Sequence, residues 1–440
     1  MVVWNERYEK IDRKELVQLQ LERLQQTLSR VYRRVSHYHN LFNKISFDPL
    51  EVSDLADLNK IPFTTKETLR SAYPYDMFAV PMREVVRMHS TSGTSGEPLV
   101  VGYTQNDIEH WTDLTARVLS AGGVTRDDIV QICFPYGLFT GGLGFHYGAE
   151  KIGASVIPSS EADVERQIII MRDYHTTAIV CAPTIAALLC ATLEEKGITP
   201  AELQLRHGLF GAEPWAESFR REIEEKLRIS AVDNYGLTEI MGPGVSYECH
   251  LKQGLHISED HFIPEVIDPE TGEVLPPGKK GELVITTITK EAYPLIRYRT
   301  GDLTRLIREP CPCGRSSIKM ERVFERLDDM IILNGMKMFP SQFEQIISEA
   351  VKPTPSYRLV IDRQGNLDEL EIQIEVSKEI FDDEMGKLTD LELKILKAVK
   401  GRLDFIPRIR LVEPATLDAP PGIDPPMKKK RVIDRRPRLE

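Results

Sequence analysis

The sequence predicts an α/β protein with a large multi-subdomain N-terminal part, residues 1–327, and a small α+β C-terminal domain, residues 328–440. Three observations predict it. Between residues 85 and 240, short apolar runs alternate with amphipathic stretches, the pattern of a parallel sheet covered by helices. From 254 to 333 the texture changes to strand-like runs broken by turn signals, such as Glu270-Thr271-Gly272-Glu273 and Pro276-Pro277-Gly278. After Asp328 come an apolar run, a helix, a hairpin and a second helix.

Residues 12–36 are expected to form a helix, because Val17, Leu21, Leu24, Leu28, Val31 and Val35 recur at spacings of three and four. Such a stripe faces a core more often than it forms a dimer seam. Ile61-Pro62-Phe63-Thr64-Thr65-Lys66 reads as a loop entering another helix, with Thr64 or Thr65 as N-cap. Runs 129–134, 155–157 and 178–181 read as buried strands, and 163–173 and 184–196 as helices between them. Gly281-Glu282-Leu283-Val284-Ile285-Thr286-Thr287 alternates like a strand with one buried face. In the last unit the expected elements are a strand at 330–333, helices at 341–350 and 388–403, and a hairpin at 357–376 turning at Gly365-Asn366. Residues 419–426 form a stiff, Pro-rich loop.

Composition narrows the function. The net charge of −11 argues against a nucleic-acid partner. No run of about twenty apolar residues offers a spanning helix, so no membrane partner is expected. Met1-Val2-Val3-Trp4-Asn5-Glu6 lacks a basic stretch followed by an apolar one. Six cysteines in 440 residues do not make a disulfide scaffold. A cytoplasmic, reducing location is the simplest expectation.

Four segments carry candidate chemistry. Thr91-Ser92-Gly93-Thr94-Ser95-Gly96 follows a β-like run. Its glycines allow close backbone approach, and its hydroxyls and N–H groups suit phosphate oxygens. No Gly-Lys-Ser/Thr closes it, so it is not a Walker loop; alone, it reads equally well as an ordinary surface loop. In Asn234-Tyr235-Gly236-Leu237-Thr238-Glu239 an aromatic ring is available to a purine and a carboxylate to Mg²⁺. Tyr298-Arg299-Thr300-Gly301-Asp302 offers an acid for the two hydroxyls of a ribose. Glu325-Arg326-Leu327-Asp328-Asp329-Met330-Ile331, with Gly335, is the fourth.

In order and spacing these segments resemble the adenylate-forming ligase superfamily of acyl-CoA synthetases, luciferases and peptide-synthetase adenylation domains. Within it the chain is similar to the phenylacetate–coenzyme A ligases. The marks are Pro62-Phe63-Thr64-Thr65-Lys66, Val100-Val101-Gly102-Tyr103-Thr104, Gly211-Ala212-Glu213-Pro214-Trp215, Glu259-Asp260-His261-Phe262, and Asn334-Gly335 with Phe339-Pro340. The resemblance spans residues 4–436.

It implies a large adenylate-forming domain and a small mobile α+β domain. It also implies a two-step reaction: a carboxylate attacks the α-phosphorus of ATP, pyrophosphate leaves, and the thiol of coenzyme A displaces AMP. A carboxylic acid with a pKa of about 4 is already ionised at neutral pH, so the first step needs positioning and charge cancellation. ATP, Mg²⁺ and coenzyme A are implied, with a small aromatic acid as partner, and a homodimer is compatible. Thr91, Ser92, Gly93, Thr94, Ser95 and Gly96 are implied to cradle pyrophosphate. Glu239 is implied to take Mg²⁺, and Thr238 the α-phosphate. Asn234, Tyr235 and Gly236, with Gly211, Ala212, Glu213 and Pro214, would frame adenine, and Asp302 would hold ribose. Arg326 and Asp328 match the family's hinge, which lets two half-reactions share one site.

The family's lysine, which bridges carboxylate and α-phosphate, falls by register on Lys428, with Lys429 as the alternative. Met427 stands where the family has Gly, Glu97 where it often has Lys, and Glu325 where Gly commonly precedes the Arg. Between Tyr136 and Gly144, aromatics mixed with glycines offer a flat acyl slot, with Tyr136, Phe139 and Gly141 as lining, although such a mixture is also ordinary core.

Cys249, His256, Cys311 and Cys313 supply three thiolates and an imidazole, a closed structural Zn²⁺ set; His250 and His261 are alternatives to His256. Cys133, Cys181 and Cys190 sit in apolar runs and are expected to be simply buried. Two further functions stay open: loading of a carrier protein instead of free coenzyme A, and non-catalytic nucleotide binding.

Overall fold

The central sheet of the protein has nine strands among the described residues, and its two halves differ in direction. The computed structural model describes residues 3–91, 98–160, 163–323, 325–333, 336–351, 355–364, 367–377, 385–403, 405–413, 416–417 and 432–436. They divide into two compact units, Met1–Val323 and Phe324–Glu440.

In the first unit, Ser155–Ile157, Ile129–Ile132, Ala178–Cys181, His207–Gly211 and Ser230–Leu237 lie side by side and parallel. Parallel neighbours need long crossovers, and helices Gly141–Ile152, Val164–Asp173, Pro183–Glu195 and Glu217–Leu227 provide them. Ala178–Cys181 is buried at every residue, as helices on both faces require. Cys133, Cys181 and Cys190 are buried as expected.

The sheet then continues antiparallel through Gly242–Glu248, Leu255–Ile257, Lys319–Met320 and Leu306–Ile307. The sequence predicts strands and turns over 254–333 without placing them in this sheet, and does not foresee Gly242–Glu248. Ser230–Leu237 turns back on Gly242–Glu248 as a hairpin, with Leu237 opposite Gly242.

A second sheet holds Phe262–Ile267, Gly281–Thr287 and Tyr298–Thr304, antiparallel. Gly281–Thr287 was expected to bury one face, but it is buried at every residue. Its polar side chains can be buried because they are bonded. Glu282 Oε2 accepts from Arg299 Nε at 2.8 Å, and Thr286 Oγ1 and Thr287 Oγ1 accept the Arg297 and Leu295 N–H groups at 2.9 Å.

The N-terminal helix runs Arg13–Arg34, capped by Asp12, and ends where Val35 turns extended before Ser36–Lys44. The predicted stripe holds except at Val17, with Leu21 partly buried against the core. Leu24, Leu28, Val31 and Val35 are buried, but Val17 is exposed. On the first turns the buried face runs through Leu16 and Gln20 instead, where Gln20 Nε2 donates to Glu259 O at 2.9 Å. Thr65 caps helix Lys66–Ser71, while Thr64 is buried and donates to Ile296 O at 2.7 Å. Glu259-Asp260-His261 is an anchor: Glu259 accepts from Arg13 at 2.7 Å, and Asp260 accepts both forks of Arg117 at 2.8 and 2.9 Å.

The second unit has a four-stranded sheet in the order Arg408–Val412, Leu367–Glu375, Tyr357–Gln364, Val432–Asp434, with helices Pro340–Ala350 and Met385–Leu403. The hairpin and both helices match expectation. The two flanking strands, each parallel to its neighbour, were not foreseen. No described helix is long and apolar enough to cross a membrane.

Candidate active site and metal centre

The hairpin between Ser230–Leu237 and Gly242–Glu248 carries Thr238 and Glu239 at its tip. Gly236 admits no side chain, since a Cβ there would lie 1.8 Å from Gly242 O. Thr238 Oγ1 lies 3.2 Å from Thr140 Oγ1, and the Tyr298 hydroxyl donates to Glu239 Oε1 at 3.4 Å. Tyr235 donates its phenolic proton to Asp302 Oδ2 at 2.6 Å. Asp302 is buried, and its N–H donates to Thr300 Oγ1 at 3.1 Å. Three segments, at Thr140, Tyr235–Glu239 and Tyr298–Asp302, are thus tied together at the hairpin.

Gly211 ends its strand opposite Asn234. A Cβ on Gly211 would lie 2.6 Å from Asn234 O, and Asn234 Nδ2 donates to Phe210 O, also at 2.6 Å. The next residue, Ala212, has φ of +68°, a left-handed conformation that costs a residue with a side chain and that gathers at ligand sites. Glu213 accepts from Thr184 Oγ1 at 3.1 Å, at the start of helix Pro183–Glu195. Pro214 is exposed and Trp215 buried.

Thr91 braces the neck of the hydroxyl-rich loop. Its N–H donates to Leu99 O at 3.1 Å, and Leu99 N–H donates to Thr91 Oγ1 at 2.9 Å. Ser92, Gly93, Thr94, Ser95 and Gly96 lie outside the described residues, as do Lys428 and Lys429. Leu138 O accepts from Ser90 N at 3.0 Å, joining the aromatic–glycine segment to the strand that leads into the loop. There Phe139 and Gly141 are brought together, with a Cβ on Gly141 only 2.5 Å from the Phe139 ring. Tyr136 turns to His146, Oη to Nδ1 at 3.2 Å. Burial pushes its phenol above the usual range. Thr140, His146 and Tyr298 were not singled out in the sequence; each lies in or near a motif, but only the fold shows what it touches. In the second unit Arg326 belongs to the short strand Glu325–Arg326, and Asp328 to the turn Leu327–Asp329.

Cys249, His256, Cys311 and Cys313 come together. Their donor atoms all lie within 4.8 Å of one another, and all four residues are buried. Strand pairing sets Lys319 against His256, which brings the chain downstream of Cys311-Pro312-Cys313 alongside. Cys249 Sγ is 3.8 Å from Cys311 Sγ, and Cys313 Sγ is 3.4 Å from His256 Nε2. His256 Nδ1 faces Ser317 Oγ at 3.2 Å, which leaves Nε2 toward the sulfurs. The Cys249 thiol, then His256, hold Cys313 far below the usual thiol range, and the same bond with Cys313, then burial, pushes Cys249 up.

Residues 42–289 match the AMP-binding enzyme family, and residues 335–436 the AMP-binding enzyme C-terminal domain. The phenylacetate-coenzyme A ligase of Thermus thermophilus is 42% identical over 97% of this chain and 98% of its own length. That of Pseudomonas putida is 45% identical over 92% of each. The chain belongs to the phenylacetate–coenzyme A ligase family. Among solved structures, 2-hydroxyisobutyryl-CoA ligase in its postadenylation state, with 2-HIB-AMP, matches with a TM-score of 0.87 at 25% identity, over 97% of this chain and 91% of that one. The same enzyme with 2-HIB-AMP and CoA in the thioesterification state matches at 0.71 and 25% identity, over 98% and 92%. The mixed α/β architecture is that of an AMP-forming acid–CoA ligase.

Proposed function

We propose that this ligase activates an aromatic acid of the phenylacetate type with ATP and passes the acyl group to coenzyme A, releasing AMP and pyrophosphate. The observation that supports the site assignment is the set of bonds Tyr235–Asp302, Glu239–Tyr298 and Thr238–Thr140, which ties the hairpin to the Tyr298–Asp302 segment and to Thr140. Asp302 accepts the ribose hydroxyls, with the Tyr235 phenol fixing its carboxylate. The Tyr235 ring and the strained turn from Gly211 to Pro214 frame adenine. Asn234 and Gly236 hold those two walls close. Thr238 donates to the α-phosphate. Glu239 offers the hard oxygen donor that Mg²⁺ prefers; bound there, Mg²⁺ supplies charge cancellation on the phosphate oxygens. Thr91 anchors the loop 92–96 that cradles pyrophosphate. Phe139 and Gly141, beside Tyr136, form the flat wall for the aromatic ring.

In the first step the ionised acid attacks the α-phosphorus and the P–O bond to pyrophosphate breaks. Lys428 bridges the two reacting groups. In the second, the coenzyme A thiol attacks the acyl carbon and AMP leaves, with a change of arrangement at Arg326–Asp328 between the steps. Support for that change comes from 2-hydroxyisobutyryl-CoA ligase, which is known in both a postadenylation and a thioesterification state.

Zn²⁺ fits the second centre. A tetrahedral site with Zn–S of about 2.3 Å separates its sulfurs by about 3.8 Å, the separation of Cys249 and Cys311. Four protein donors leave no open position, so this zinc is structural.

The test is acid-dependent ATP–pyrophosphate exchange, followed by thioester assay with free coenzyme A. Exchange with phenylacetate and a coenzyme A thioester are expected. Exchange without a free thioester would move the acceptor to a carrier protein, and no exchange with any aromatic acid would overturn the assignment.

A further inference from the structure

Behind the turn at Gly211–Trp215 lies an ion cluster with no part in the chemistry assigned above. Two guanidinium groups lie near the buried Trp215 ring, with Arg220 Cζ at 5.2 Å and Arg322 Cζ at 5.0 Å from its centroid. Arg220 is fully buried and ties its own helix to the sheet. It pairs with Glu248 at 2.8 Å and donates to Ala231 O at 3.3 Å.

Arg322 serves more segments. Its Nη1 donates to the Trp215 carbonyl oxygen at 3.4 Å. Its Nη2 lies 3.1 Å from Glu217, and its Nε lies 3.5 Å from Asp233 and 3.4 Å from Glu248. Trp215 closes the turn that begins at Gly211, and Asp233 immediately precedes Asn234-Tyr235. One guanidinium therefore holds both walls assigned to adenine.

We propose that Arg322 is the positioning residue of the adenine subsite: it sets the spacing between the turn ending at Trp215 and the strand end at Asp233, and so governs ATP affinity and base selectivity without touching the reacting atoms. This rests on the assignment of adenine to those two segments. The chemistry calls for arginine. A planar fork reaches a carbonyl and several carboxylates at once, whereas lysine brings one point charge. Without it Asp233 loses that ion pair and Glu248 keeps its pair with Arg220. Burial, then the neighbouring Glu248, already push the Asp233 carboxyl well above the usual range, and removing one partner of a buried ion pair destabilises the segment that carries the other.

The experiment compares KM for ATP, inosine triphosphate, acid and coenzyme A, with kcat, in the parent, Arg322→Met and Arg322→Lys. In Arg322→Met, KM for ATP rises on the order of tenfold, as for loss of a charged hydrogen bond. The preference for ATP over inosine triphosphate narrows, and kcat and the other KM values move less than about threefold. Arg322→Lys recovers part of the ATP affinity, and Trp215 emission shifts in Arg322→Met. A folded Arg322→Met, or Arg322→Lys should Met not fold, that keeps the parental ATP KM and base preference overturns the inference, as does an equal rise in every KM. A parent indifferent to the base overturns the adenine assignment itself.

Discussion

The Tyr235 hydroxyl donates to Asp302 Oδ2 at 2.6 Å, across 67 residues of sequence. In the proposed adenosine site the bond would orient an aromatic face and a carboxylate toward one ligand. A hydrogen bond to a charged acceptor contributes about 1.5–3 kcal/mol. Tyr235→Phe keeps the ring and frees the acid, and its KM for ATP is expected to rise about tenfold with kcat within about threefold. Asp302→Ala removes the proposed ribose acceptor as well and is expected to cost more. Equal KM values for parent and Tyr235→Phe would remove the bond from the account.

Proline fixes φ near −65°. At Asp328 it denies the turn Leu327–Asp329 a second arrangement. Asp328→Pro is expected to cripple thioester formation while pyrophosphate exchange survives. Equal losses in the two assays would argue against a hinge there.

Much of this was legible in the sequence, for reasons specific to each residue. The strand–helix alternation between 85 and 240 follows from apolar runs that a covered sheet buries, and Ile129–Ile132 and Ala178–Cys181 agree, whereas Ser155–Ile157 is the edge strand and is not buried as expected. The four metal-type donors were recognisable by kind, and the pairing of Lys319 with His256 unites them. The antiparallel half of the sheet was not legible, because two of its strands are only two residues long and carry no period. Val17 misled because it fits the spacing of the stripe while the packed face lies one position round, at Leu16 and Gln20. Arg322 gave no signal, since its partners lie on the segment at Trp215–Glu217 and at Asp233 and Glu248, far from it in sequence.

The thiolate–imidazole centre predicts one zinc per chain in protein purified without added metal. Cys311→Ser should lose it and melt at a lower temperature, because metal binding to a preformed site is linked to folding. Zinc-free parent protein that melts normally contradicts the centre.

Lys290 is 1% exposed, and its ammonium lies 3.0 Å from the Tyr103 ring centroid. Burial pushes it down from 10.5 to about 7, against an opposing pull from Asp107. A lowered folded-state value means that the protonated form is the disfavoured one in the native state. The penalty is therefore full below pH 7 and fades as pH rises from about 7 toward 10.5. Lys290→Met removes it. The variant should exceed the parent in stability by about 2–4 kcal/mol at mildly acid pH, the ring face offsetting the rest, and the gap should shrink toward pH 10. A gap independent of pH counts against this, with denaturant titrations across the range as the measurement.

Acid-dependent adenylation that requires Lys428 is the central proposal, and phenylacetate-dependent ATP–pyrophosphate exchange in the parent, Lys428→Ala and Lys429→Ala measures it most directly. Exchange that needs the acid, falls at least about a hundredfold in Lys428→Ala and stays near parental in Lys429→Ala is the expected result. Undiminished exchange in Lys428→Ala, or none in the parent with any aromatic acid, contradicts it.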